Sequence, residues 1–325
     1  MRIFLTGATG FVGRNYLEWV LRHHPDCQIT CLVRDPQKAA AQWPQSPRQI
    51  RWLAGDLLQP DTYQADLQEA ELVVHAAALV SLRNGPEFYT QNTEATRQLL
   101  GVLSESNALQ RLVFVGSISA IDRPPGLPAQ GPLTDTSPPH PNTDYGRSKW
   151  QAEEAIRARG LPYVILRPAY IYGPHPRANS SMDKLIRHVQ AGAHYTRYPF
   201  PGRASAIYAE DLAQMLWLAG VHPAVENQSF FISDPQSVPV AQAFADVARA
   251  LGQPYVSHEI SPERLMRMKR TLLHRHPDSL ILRILFEDYF LCDPSRWYQL
   301  TGCLPQVGYT EGVERTVRSV GKLNK

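Results

Sequence analysis

At 325 residues the chain is long enough for one sizeable core and a smaller second lobe. Apolar residues make up 43% and charged residues 19%, the balance of a globular protein rather than a disordered one. Its 33 basic and 30 acidic side chains leave a net charge of +3, and no block of about five like charges occurs, which excludes a nucleic-acid-binding body.

Cys27, Cys31, Cys292 and Cys303 form no CxxC pair and no cysteine/histidine cluster at zinc-ligand spacing, so neither a disulfide framework nor a metal site is expected. A reduced, cytoplasmic setting fits this usage. Met1-Arg2-Ile3-Phe4-Leu5 runs directly into a glycine turn, which is not the pattern of a signal peptide. No apolar stretch reaches the roughly 18 residues of a membrane span. Prolines cluster at 124–141 and 168–176, where long functional loops are expected.

In chain order, Arg2–Thr6 reads as a strand, followed by a helical pattern through Phe11, Tyr16, Leu17, Val20 and Leu21. Further strands are expected at Ile29–Val33, Ile50–Leu53, Leu72–His75, Leu112–Val115 and Tyr163–Leu166, with a helix from about Phe88 to Leu103. Continuous apolar strands separated by helices predict an α/β protein, a Rossmann-type doubly wound parallel sheet.

Between the first strand and first helix stands Thr6-Gly7-Ala8-Thr9-Gly10-Phe11-Val12-Gly13. Gly7 permits a tight turn, Gly10 lets backbone approach a pyrophosphate, and Gly13 allows close helix–strand packing. The helix N-terminus then offers free N–H groups and its positive dipole to the anion, which sets Thr9, Gly10, Phe11, Val12 and Gly13 against the cofactor. Context makes this a dinucleotide cradle, and the G-x-x-G-x-x-G spacing resembles the short-chain dehydrogenase/reductase superfamily.

The end of the second strand, Leu32-Val33-Arg34-Asp35-Pro36, discriminates cofactors. Arg34, with Lys38 nearby, offers a fork to a 2′-phosphate; the competing reading leaves Arg34 solvated and gives the ribose to Asp35. NADP(H) is expected, NAD(H) remaining the alternative. Arg14 is either a second phosphate contact or a surface charge. The resemblance implies that Asp56 holds the adenine amino group, that Leu57 covers the ring, and that Asn92 braces active-site backbone. Ala76-Ala77-Ala78 are small enough to lie against the cofactor; His75 before them reads as a packed strand-end residue.

Tyr145-Gly146-Arg147-Ser148-Lys149 sets tyrosine and lysine four residues apart, on one face of a helix. Carbonyl reduction needs a proton donor, and a phenol near its ordinary pKa of about 10 needs help. A neighbouring ammonium is expected to lower it. Ser117 is the expected third member, holding the substrate oxygen, with Ser119 in its place if the strand ends later.

These features extend the resemblance to nearly the whole chain. It resembles an extended short-chain dehydrogenase/reductase, in the branch containing dihydroflavonol reductases, 3β-hydroxysteroid dehydrogenases and sugar-nucleotide epimerases. Carrying it are Tyr145 to Lys149 with Glu153, Leu166-Arg167-Pro168 leading to Tyr172-Gly173-Pro174, and Ile207-Tyr208-Ala209-Glu210-Asp211-Leu212-Ala213. The resemblance implies that Pro168 lies at the nicotinamide end, that Asp211 caps a helix, and that a homodimer is possible. It also implies interleaved domains: 1–168 plus about 205–235 for the dinucleotide, 169–204 plus about 236–325 for the substrate.

The slot where sugar-nucleotide enzymes carry an Arg-Asp-aromatic motif is Ala204-Ser205-Ala206, with Arg203 one place early. Arg177, Arg187 and Arg197 remain as candidates for a diphosphate. Arg264, Arg267, Lys269, Arg270 and Arg275 precede the apolar Leu280–Phe286. This pattern suits a helix with one wet and one packed face, a membrane-surface contact being the minor alternative. The leading expectation is an NADP(H)-dependent oxidoreductase acting on a secondary alcohol or ketone of a bulky, partly apolar small molecule. The alternatives are a sugar-nucleotide epimerase/dehydratase with tightly bound NAD and a non-catalytic NADP(H)-binding regulatory protein.

Overall fold

The computed structural model describes residues 1–43, 47–81, 84–124, 131–277 and 279–323; part of the first proline cluster, at 125–130, lies outside them. Strands β1 (Arg2–Thr6), β2 (Gln28–Val33), β3 (Ile50–Ala54), β4 (Leu72–His75), β5 (Arg111–Val115) and β6 (Tyr163–Pro168) fall where the apolar runs place them. Short strands β7 (Tyr170–Tyr172), β8 (Arg203–Ala204) and β9 (Ala206–Tyr208) follow, then β10 (Gln228–Ile232) and β11 (Val238–Pro239). Seven of these make one parallel sheet in the order β10-β6-β5-β4-β1-β2-β3. The strand order reverses between β1 and β4, successive strands being added outward on one side from β1 and on the other from β4, which opens a crevice at their carboxyl ends.

The sheet is covered on both faces, as the continuous apolar strands require. Along β1, Ile3 and Leu5 join a core with Tyr16, Leu17 and Val20 of α1 (Phe11–His23) and with Leu212, Met215 and Leu216 of α7 (Ala209–Val221). Phe4, between them, points to the opposite face, the period-two alternation of a strand. There it meets α3 (Gln64–Gln68), α4 (Ala95–Leu103) and α5 (Asp144–Ala158). The short α2 (Pro36–Ala41) follows β2.

A separate core gathers α6 (Ser181–Gln190), α8 (Val240–Ala250), α9 (Pro262–Arg275), α10 (Leu280–Phe286) and α12 (Tyr309–Leu323) around Tyr172 and Tyr208. The remaining helix, α11 (Ser295–Thr301), returns to the sheet, where Trp297 meets the ring of Phe230 on β10 edge-on at 5.4 Å. On α9, Leu265 is buried and Met268 and Leu272 pack against this core, while Arg264, Arg267, Arg270 and Arg275 are exposed. Lys269 pairs with Glu287 at 3.0 Å. Among the described residues no helix is long and apolar enough to cross a membrane.

Two local expectations need correction. The helix expected from about Phe88 begins as a turn of π-helix, Tyr89–Glu94, before α4 takes over. Such bulges accompany functional sites, and this one carries Asn92. Asp211, expected to cap a helix, instead lies inside α7 and accepts the backbone N–H groups of Gln306 at 2.8 Å and Val307 at 3.2 Å. It anchors the segment entering α12.

Candidate active site

The glycine turn sits at the crevice. Gly7 has φ +78°, and a Cβ there would lie 2.6 Å from Ala77 N. A Cβ on Gly13 would lie 2.2 Å from Gly7 O, so helix, turn and the Ala76–Ala77 wall are in backbone contact. Gly10 is the N-cap of α1 with no side-chain cap, and the first turn contains no acidic residue. The N–H groups of Phe11, Val12 and Gly13 are therefore unspent and aligned with the positive end of the helix, a cradle that fits a pyrophosphate. Thr9 and Gly10 are exposed; Phe11 and Val12 are half-buried.

At the end of β2, Asp35 Oδ1 accepts the backbone N–H of Lys38 at 2.9 Å and so caps its own helix. Arg34 and the Lys38 side chain are exposed, and among the described residues neither has an ion pair or side-chain hydrogen bond. Arg14 is drawn off by Glu18 at 3.0 Å and lies over the ring of Trp43. Asp56 Oδ1 closes a turn by accepting Leu58 N at 2.9 Å, and Leu57 leans on the core beside α3. Ala76, Ala77 and Ala78 line the turn after β4, half-buried, and Pro168 ends β6.

Asn92, which the resemblance makes a brace of the active-site backbone at the cofactor, is buried and fully engaged. Its Oδ1 accepts Leu79 N at 2.7 Å, and its amide donates to Leu79 O at 3.1 Å and to Ser148 Oγ at 2.9 Å. Its polar atoms are occupied by protein, so its place is that of a brace between the β4 loop and α5 rather than a ligand to the dinucleotide.

Thr143 caps α5, its Oγ1 accepting Gly146 N at 3.0 Å. Gly146 lies inside α5, and glycine inside a helix is unfavourable by about 1 kcal/mol and so calls for a reason. The reason is proximity: a Cβ there would sit 2.4 Å from Ser119 O. This close approach brings the residues after β5 against α5. Ser117 Oγ accepts Ser119 N at 3.2 Å and hydrogen-bonds the Tyr145 hydroxyl; of the two serines, Ser117 is the one joined to Tyr145. The Phe88 ring stands edge-on to Tyr145 at 6.2 Å.

Lys149 is buried with Nζ 4.0 Å from the centre of the Phe114 ring. Burial pulls its ammonium down to about 7, the charge of Glu153 opposing. Glu153 is itself neutralised by Arg167, whose Nη2 is 2.7 Å away, and by Arg157 at 2.7 Å. Tyr145 is raised by burial, against which the Ser117 hydrogen bond and then the charge of Arg177 act. The expected lowering of Tyr145 by Lys149 is therefore not what the protein's own groups produce. An ammonium that loses its proton near 7 is already neutral where a raised phenol would ionise. Arg177, read from sequence as a diphosphate candidate or a solvated charge, instead reaches from the β7–α6 loop to Val80 O at 2.9 Å and holds a positive charge over Tyr145.

Of the other arginines, Arg187 on α6 pairs with Asp183 at 2.9 Å, and Arg203 on β8 donates to Ser237 Oγ and O. A family model described as the NAD dependent epimerase/dehydratase family matches residues 3–232. The chain belongs to this family. Its members are NAD(P)-dependent enzymes of the extended short-chain dehydrogenase/reductase type. The UDP-glucose 4-epimerase of Vibrio cholerae is 27% identical over 268 residues, 78% of this chain and 76% of that protein. Sterol demethylase protein B of Methylococcus capsulatus is 30% identical over 194 residues, 57% of this chain and 56% of that one. Among solved structures, the UDP-glucuronic acid 4-epimerase of Bacillus cereus with UDP-glucuronic acid and NAD superposes with a TM-score of 0.79 at 18% identity, covering 99% of this chain and 100% of its own.

Proposed function

We propose that this epimerase/dehydratase-family protein is an NADP(H)-dependent oxidoreductase acting on a secondary alcohol or ketone of a bulky, partly apolar small molecule. The observation that carries the reading is the end of β2. Asp35 turns Oδ1 to the Lys38 N–H as a helix cap, and the exposed Arg34 beside it is unengaged among the described residues. A guanidinium so placed suits a 2′-phosphate, whereas a ribose 2′-hydroxyl calls for a free carboxylate. An exchangeable NADP(H) in turn suits net oxidation or reduction.

When bound, the dinucleotide supplies or receives the hydride. The chain's part is to hold the substrate oxygen at the Ser117 hydroxyl and move a proton at Tyr145 Oη. Arg177 brings positive charge to the same oxygen. The exposed Val80, whose carbonyl Arg177 holds, favours a substrate with apolar surface. The relative named for sterol demethylation is in keeping with this.

The test is a fluorescence titration with NADPH and NADH, followed by a panel of ketones and secondary alcohols. NADPH is expected to bind at least about tenfold more tightly, a difference of about 1.4 kcal/mol. Equal affinities would remove the argument. A second reading, a sugar-nucleotide epimerase with retained NAD, is favoured by the near full-length likeness to the UDP-glucuronic acid 4-epimerase. Protein that purifies with NAD and does not exchange it for added NADPH would favour that reading.

A further inference from the structure

Thr6, His75 and Thr96 are buried and joined in one chain of hydrogen bonds. The Ala77 N–H donates to Thr6 Oγ1 at 3.1 Å, and Thr6 Oγ1 lies 2.7 Å from His75 Nδ1. Across the ring, His75 Nε2 is 3.0 Å from Thr96 Oγ1, whose own hydrogen goes to Asn92 O at 2.5 Å. A hydroxyl has a single hydrogen. Thr96 has spent its hydrogen on Asn92, so it accepts from Nε2–H. Nδ1 is then the bare nitrogen, and Thr6 donates to it. The tautomer follows from the partners.

The two ends of this chain are the two halves of the site. One end pins Ala77 against the Gly7 turn; the other holds the π-turn whose Asn92 side chain grips Leu79 and Ser148, between Tyr145 and Lys149. We propose that His75 is a positioning residue, a neutral Nε2–H imidazole that ties the dinucleotide wall to the helix carrying Tyr145 and Lys149.

Only a ring that stays neutral can do this, because a second proton on Nδ1 would turn the Thr6 hydrogen bond around. Burial first and the charge of Lys149 second hold His75 down to about 3. The Phe114 ring contacts both residues, 5.5 Å from the His75 ring and 4.0 Å below Lys149 Nζ. The kinetic consequence rests on the oxidoreductase reading; the tautomer does not.

Nitrogen-15 NMR of histidine-labelled protein should show His75 neutral with its proton on Nε2 at pH 5, where an ordinary imidazole of pKa about 6.5 is charged. Titration near 6.5, or a proton on Nδ1, would overturn the proposal. Thr96→Val removes the acceptor and Thr96→Ser keeps it. The valine variant should lose about tenfold in kcat with NADPH affinity held within about twofold, and the serine variant should recover most of the loss. Equal kcat in the two variants would refute the positioning role. Should no carbonyl substrate turn over at all, amide exchange decides. Faster exchange at Leu79 and Ser148 in Thr96→Val, but not in Thr96→Ser, supports the tie, and equal rates reject it.

Discussion

A Cβ placed on Gly13 would lie 2.2 Å from the carbonyl oxygen of Gly7, so the first turn of α1 and the turn after β1 touch with no space for a methyl group. Gly13→Ala must push the helix N-terminus off the turn, displacing the N–H groups of the cradle. NADPH affinity should fall by tenfold or more, about 1.4 kcal/mol, with a lower melting temperature. Gly101 on α4, whose Cβ would meet nothing within 4 Å, serves as the control. Gly101→Ala should be neutral or stabilising by up to about 1 kcal/mol. Wild-type NADPH binding in Gly13→Ala would show that the turn has slack.

Arg34 supplies the cofactor test. Loss of a charge-assisted phosphate contact is worth about 1.5–3 kcal/mol, so Arg34→Ala should weaken NADPH roughly 10- to 100-fold and leave NADH nearly unchanged. Parallel titrations of the two dinucleotides read this directly. An equal loss for both would mean that Arg34 supports the fold of the strand end and not a phosphate.

Lys149 sets function against stability. Its ammonium titrates near 7 in the folded protein, against an ordinary value of 10.5, and burial is the main cause. Below pH 7 both folded and unfolded chains carry the proton, and the folded state bears the full desolvation penalty. Between pH 7 and 10.5 the folded lysine sheds its proton first and the penalty relaxes. Lys149→Met should therefore be inactive yet more stable, by on the order of 4 kcal/mol at pH 6, with the gain shrinking as pH rises. Thermal melts of both proteins from pH 6 to 9 measure it. A gain that is absent, or that grows with pH, would contradict this environment for Lys149.

What the sequence made legible was local. Strands β1 to β6 announce themselves as apolar runs, and the glycine turn lies within eight residues, Thr6 to Gly13. β10 did not, because Gln228 and Ser229 open it with polar side chains and its register comes from β6, more than sixty residues earlier. The π-turn at Tyr89–Glu94 has the apolar spacing of an ordinary helix, and only Asn92's reach to Ser148 distinguishes it. Asp211 looked like a cap because its ligands, the N–H groups of Gln306 and Val307, are invisible from its own helix. Arg177 acts through a loop that bends back on Val80, in which His175 and Asn179 have positive φ. The electrostatics are hidden for a related reason: the YxxxK spacing gives proximity, while burial sets the order in which the two groups lose their protons.

The most direct test of the account is Tyr145→Phe, assayed for NADPH-dependent turnover and, separately, for NADPH binding. Removing the proton donor should abolish turnover, by about 10³-fold or more, while binding stays within about twofold of wild type. A variant that still reduces its carbonyl substrate at near the wild-type rate would contradict the assignment of Tyr145 as the acid.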